Sequence, residues 1–168
     1  YMKNASFSIP TASLLAEAVK IINDMHIKEQ NRDTKGDLYE YILSQLQTAG
    51  KNGQFRTPRH IIKMMVELLN PKYGDKICDP ACGTAGFLVS AFEHILKNNT
   101  SADLVKEGNY VGDKLNENQW RILREETLYG YDFDDVMIKI SLMNLMMHGI
   151  NNPNVEQKNT LSKRFDES

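Results

Sequence analysis

The residues best suited to chemistry lie together at Asp79-Pro80-Ala81-Cys82-Gly83-Thr84-Ala85-Gly86. They follow a strand-like run, Lys76-Ile77-Cys78, and open an apolar helical segment, Phe87 to Leu96. Such a strand, turn and helix make a ligand site. Gly83 and Gly86 let the backbone come close to a ligand, and the new helix presents N–H groups that lack intrahelical partners. The turn has neither the Gly-x-Gly-x-x-Gly spacing of dinucleotide folds nor the Gly-Lys-Ser/Thr of a phosphate loop. Instead Asp79 ends the strand and no basic residue lies within the turn. A carboxylate there suits a cationic ligand better than a phosphate. S-adenosyl-L-methionine has a sulfonium and an α-ammonium, and its carboxylate can sit at the helix N-terminus. A second acid, Asp132, ends another strand-like run, Leu128-Tyr129-Gly130-Tyr131, where it can accept hydrogen bonds from ribose hydroxyls.

Positioning these groups falls to alternating helices and strands. Helical spacing of Leu14, Leu15, Ala18, Ile21, Ile22 and Met25 predicts an amphipathic helix from about Ser13 to Lys28. Asp37 reads as the cap of a second helix, Leu38 to about Thr48, stopped at Gly50. Thr57-Pro58 is a helix-start signature, a hydroxyl cap followed by proline at the first helical position, and the helix runs to about Asn70. Lys76 to Asp79 is the first strand. The polar passage Lys97 to Asn118 reads as loop, open to mobility. A short helix is expected at Gln119 to Glu126 with Trp120 and Leu123 inward. The second strand is Leu128 to Asp132, a long helix spans about Asp134 to His148, and Asn154 to Lys158 is a weak third strand. Helix and strand alternating from Pro58 onward predicts parallel strands.

Composition sets the limits. At 168 residues, with 41% hydrophobic and 25% charged residues, the chain has the makeup of a globular protein with one core. No apolar run approaches the ~20 residues that span a bilayer, and the first ten residues do not resemble a secretory signal. A net charge of −2 is unlike a chain that holds DNA unaided, since neutralising phosphates supplies much of that affinity. Lys51, Arg56, Arg59, His60 and Lys63 cluster locally, either as a phosphate-facing edge or as a solvated basic face. Cys78 and Cys82 lack a second Cys/His pair at metal-ligand spacing, so they read as reduced thiols and no metal is expected. His26, His60, His94 and His148 share no spacing that suggests a nucleophilic triad.

The stretch Asp79 to Leu88 resembles the first cofactor motif of amino-methylating DNA methyltransferases. Gly53-Gln54-Phe55-Arg56-Thr57-Pro58-Arg59 resembles the Gly-Gln-aromatic-x-Thr-Pro-Arg segment of the modification subunit of type I restriction-modification systems. Gly36-Asp37-Leu38-Tyr39-Glu40-Tyr41, Gly130-Tyr131-Asp132 and Met143 to Ile150 are similar to further segments of that subunit, in the same order. The resemblance covers most of the chain, about Gly36 to Phe165. It implies an α/β fold: a partial Rossmann-like class I methyltransferase sheet of three strands, with residues 1–50 as a helical region and 51–168 as the S-adenosyl-L-methionine-binding part. It also implies transfer of a methyl group to the exocyclic amine of adenine, a cytoplasmic protein, and partners. These are a specificity subunit, a nuclease-translocase restriction subunit, and DNA held through the full complex. Gln54, Phe55, Arg56, Thr57, Pro58 and Arg59 would fold over the cofactor, with Phe55, Thr57 and Pro58 shielding its methionine end. Asn159, at a position where methyltransferases often carry Asp, would face the adenine of the cofactor.

One family element is missing from the sequence. An Asn/Asp-Pro-Pro-aromatic tetrapeptide holds the target amine in this family, and its aromatic stacks on the flipped base. The chain stops at Ser168 without one, so it is expected to be the cofactor half of a catalytic domain and inactive on DNA alone. The rival readings are a methyltransferase for RNA, protein or a small molecule, and a non-catalytic module that binds cofactor or a partner.

Overall fold

A computed structural model describes residues 9–24 and 57–162. The expected helix at Leu38 to Thr48, and Gln54, Phe55 and Arg56, lie outside the described residues. Helix α1, Ala12–Asp24, starts at Thr11, whose hydroxyl accepts the Leu14 N–H at 3.3 Å. Its apolar stripe, Leu14, Leu15, Val19, Ile21 and Ile22, is exposed.

From Thr57 onward the chain alternates as its pattern implies. The order is α2 (Arg59–Leu69), β1 (Ile77–Asp79), α3 (Gly86–Asn98), α4 (Ala102–Lys106), α5 (Glu117–Glu125), β2 (Leu128–Asp132), α6 (Asp135–Met147) and β3 (Asn154–Gln157). The strands form one parallel sheet in the order β1-β2-β3. Register pairs Ile77 with Leu128, Asp79 with Gly130, and Gly130 with Val155. Because side chains alternate along a strand, these residues share one face. Helices α3 and α6 pack on that face and on each other. Leu88, Phe92 and Ile95 of α3, Leu145 of α6, and Leu123 of α5 are almost wholly buried there. A β-carbon at Gly130 would stand 3.0 Å from Leu88 and 3.1 Å from the Cys82 sulfur, so β2 carries a glycine where α3 comes closest. The opposite face bears Cys78, Tyr129 and Tyr131, with the Lys76 ammonium 5.9 Å from the Tyr129 ring and that of Lys158 5.2 Å from the Tyr131 ring.

Helix α2 lies beside α3 and runs the same way. Gly86 faces Ile62, and His94 hydrogen-bonds Asn70 at 3.0 Å, an equal offset at both ends. The N-terminus of α2 therefore lies at the end of the sheet where α3 begins. Its cap differs from expectation: Pro58 occupies the cap position with φ −58° and ψ 140°, and α2 starts at Arg59 without a side-chain cap. The Pro58 carbonyl takes the first helical bonds, from Ile61 and Ile62, so the Thr57 hydroxyl is displaced from the role read for it.

The passage after α3 is structured where loop was expected. Thr100, buried, donates its hydroxyl to the Leu96 carbonyl at 2.7 Å and accepts the Gly112 N–H at 2.8 Å. Asp113 accepts the Ser101 N–H at 2.8 Å, and Leu115 enters the core. Polar side chains bonded to backbone hold this passage, and apolar periodicity carries no trace of such bonds. Helix α5 begins two residues earlier than expected because Asn116 and Gln119 form a reciprocal capping box.

Candidate functional site

Asp79 and Asp132 end neighbouring parallel strands, which places both at the carboxyl edge of the sheet, where ligands bind in folds of this kind. The turn from Pro80 to Ala85 sits over that edge, held from several sides. Cys82 donates its N–H to the Tyr131 carbonyl at 2.8 Å, and Gly83 donates its N–H to Asp132 Oδ2 at 2.9 Å. Asp132 Oδ1 accepts the Asp134 N–H at 2.9 Å, while its carbonyl accepts the Lys158 N–H at 2.9 Å. Asp79 Oδ1 accepts the Ala81 N–H at 3.1 Å. Asp132 thus joins three pieces of chain as well as facing the site. Each carboxylate oxygen has a second lone pair for a ligand hydroxyl.

The backbone conformation follows from the residues. Gly83 has φ +52° and a β-carbon there would meet nothing within 4 Å, so the turn opens outward at this point. Ala85 caps α3 with φ +64°, a conformation that costs an L-residue energy, and it is wholly buried. Gly86 is expected from the sequence to let a ligand approach. In the structure a β-carbon at Gly86 would point at Ile62, 3.3 Å away, so its lack of side chain serves the contact of α2 with α3.

The electrostatics favour a cation. Burial raises the Asp79 carboxyl above the usual carboxylate range, the Ala81 N–H partly offsets this, and the charge of Asp132 adds to the rise. Burial, with the Asp79 and Asp132 charges, pushes the Cys82 thiol up to about 12. Cys82 is therefore a neutral thiol and no nucleophile. A positive group between the two carboxylates would relieve the burden on Asp79, while the N–H groups opening α3 suit a carboxylate. Among the described residues no cluster of His, Cys, Asp and Glu could hold a metal.

Of the remaining residues singled out in the sequence, Thr57, Pro58 and Arg59 are exposed at the α2 end nearest the turn. Ala81 is exposed, and Thr84 is half-buried. Asn159 is exposed and its Oδ1 accepts the Leu161 N–H at 3.2 Å, the bond of an ordinary turn. Its neighbour Thr160, given no role of its own from the sequence, donates its hydroxyl to the Pro80 carbonyl at 3.0 Å and ties the segment after β3 to the turn. Ser141 and Asn144 of α6 were given no site role from the sequence, although Asn144 lies in the family-like segment Met143 to Ile150. Both are completely buried, and Asn144 Nδ2 donates to the Thr84 carbonyl at 2.8 Å. A polar residue inside an apolar helix was the available signal.

Comparison with known proteins adds the following. Residues 30–167 match the N-6 DNA methylase family. The methylase subunit of the Escherichia coli type I restriction enzyme EcoEI is 35% identical over 165 residues, taking in 97% of this chain and 29% of that protein. The methylase subunit of the HindI enzyme of Haemophilus influenzae is 31% identical over 121 residues, 71% of this chain and 22% of that one. A solved structure concerned with complex assembly in the type I restriction-modification system superposes with a TM-score of 0.66 at 28% identity, covering 94% of this chain and 30% of the other. The EcoKI M protein gives 0.56 at 27% identity, covering 68% and 23%. The chain therefore spans less than a third of the length of these relatives.

Proposed function

Because this chain belongs to the N-6 DNA methylase family, we propose that it is the cofactor-binding part of a DNA adenine methyltransferase subunit of a type I restriction-modification system. The observation that carries the reading is the Asp79 to Gly86 turn, clasped by Asp132 at the carboxyl edge of a parallel sheet. The cofactor is S-adenosyl-L-methionine, and the residues fit it. Asp79 and Asp132 favour its positive groups, the N–H groups opening α3 receive its carboxylate, and Asp132 has lone pairs left for the ribose. The open side of Gly83 gives the ligand room.

When bound, the cofactor would supply an electrophilic methyl group for transfer to adenine N6, its sulfonium becoming a thioether. The part of the chain is to bind and orient. The segment Gln54 to Arg59 is assigned to cover the cofactor, and of its residues Thr57, Pro58 and Arg59 lie at the α2 terminus beside the turn. Asn159 faces the adenine once its turn bond to Leu161 is given up. In this reading 51–168 is the cofactor part and 1–50 an N-terminal region before it. The whole protein acts in the cytoplasm on DNA, with a specificity subunit and a restriction subunit. The net charge of −2 agrees with DNA recognition delegated to a partner.

Calorimetric titration with S-adenosylhomocysteine tests the binding claim directly, and saturable one-to-one binding is expected. A separate assay with radiolabelled cofactor and adenine-rich duplex should show no turnover by the 168-residue chain. A folded chain that binds neither S-adenosylmethionine nor S-adenosylhomocysteine would end this reading.

A further inference from the structure

Helix α6 is apolar towards the core except at Ser141 and Asn144, which lie one turn apart on the same buried side. Polar side chains this deep are costly unless they form hydrogen bonds. The two direct theirs to different places. The Ser141 hydroxyl donates to the Ile138 carbonyl of its own helix at 2.8 Å. Asn144 Nδ2 reaches across 60 residues of sequence to the Thr84 carbonyl at 2.8 Å.

That carbonyl belongs to the peptide joining Thr84 to Ala85. The N–H of the same peptide donates to the Cys82 carbonyl at 2.7 Å. Both polar ends of one peptide plane are thus fixed, one by the turn and one by α6. The plane matters because it leads into Ala85, whose φ of +64° is uphill for alanine. Ala85 starts α3, so the tilt of this peptide sets the direction of the first helical N–H groups. Asn144 itself is wholly buried behind the turn.

We propose that Asn144 is a positioning residue that holds the Thr84–Ala85 peptide from behind and so presets the cofactor turn for its ligand. The inference rests on the reading of this turn as the S-adenosylmethionine site. It makes the buried side of α6 a determinant of cofactor affinity.

The test uses Asn144→Leu, which keeps bulk and removes the donor, and Asn144→Ser, which is too short to reach Thr84 and serves if the leucine variant does not fold. Hydrogen exchange at the amides of Thr84 to Phe87 and calorimetry with S-adenosylhomocysteine are read on the same samples, well below the unfolding transition. The expected result is exchange about tenfold faster at these amides and affinity about tenfold weaker, the size of one lost buried hydrogen bond, with exchange in α3 beyond its first turn unchanged. A purely structural role would lower the melting temperature alone. Folded variants that bind within about twofold of wild type, or keep wild-type exchange in the turn, overturn the inference and leave the cofactor reading standing. Failure of the wild type to bind overturns both.

Discussion

Asp132→Ala should damage the fold and the ligand site together. Its carboxylate accepts the Gly83 N–H and the Asp134 N–H, each at 2.9 Å, and so joins the turn, the end of β2 and the start of α6. Hydrogen bonds to a charged group contribute about 1.5–3 kcal/mol each. Water can reach part of this site, and removing the acid also relieves the repulsion that helps to raise Asp79. The net loss should then be roughly 2–4 kcal/mol, a fall in Tm of about 4–16 °C for a chain of this size. Asp132→Asn keeps one acceptor oxygen and should lose about half as much. The backbone bond from Lys158 to the Asp132 carbonyl survives either change, so β2 and β3 stay paired. Thermal melts followed by circular dichroism, with calorimetry on whatever protein remains folded, measure both effects. If Asp132→Ala melts within about 2 °C of wild type and only ligand binding is lost, the carboxylate belongs to the ligand alone and the clasp described here is wrong.

Gly130→Ala places a β-carbon 3.0 Å from Leu88 and 3.1 Å from the Cys82 sulfur; overpacking of about 1–3 kcal/mol is expected, visible as a lower melting temperature, and a wild-type melt would mean α3 can move off the sheet. Asp79→Asn should stabilise the chain at neutral pH yet weaken binding of the cationic cofactor. The folded-state pKa of Asp79 is raised, so its contribution to stability is present below the unfolded pKa and lost as pH rises through the folded one, leaving an ionised Asp79 as a cost at neutrality. Melts of both proteins across acid to neutral pH should converge at the acid end, and an equal gap throughout would contradict that sign. Cofactor affinity of the wild type should fall as pH drops through the raised Asp79 pKa, with proton release on binding near it, detectable by calorimetry in buffers of different ionisation enthalpy. Cys82, buried and with its pKa near 12, should resist iodoacetamide in the folded chain; rapid alkylation there, mapped by mass spectrometry, would show that the turn opens.

Local signals determined much of this protein. A β-rich run before a turn of small residues gave β1 and the start of α3, and Leu128 to Asp132 is the second strand as its composition implies. Alternation of element types implies parallel strands, which puts Asp79 and Asp132, as strand-end acids, at the same edge. Each of these depends on neighbours within a few residues, which is what propensity and spacing record. The tertiary structure decided what those groups touch. Asp132 reads as an acceptor for a ligand, but its bond to the Gly83 N–H spans 49 residues. Gly86 reads as room for a ligand, and only the packing shows that the place of its missing β-carbon faces Ile62 of α2. Asn144 reads as one polar residue in an apolar helix until the Thr84 carbonyl is brought 2.8 Å away, and the passage after α3 reads as loop until Thr100 bonds Gly112. A hydrogen bond to a distant backbone group needs no particular residue type at the far end, because every residue has a carbonyl and nearly every one an N–H. Such bonds therefore leave no pattern in the sequence, and only the packing of α3 and α6 on the sheet brings their partners into reach.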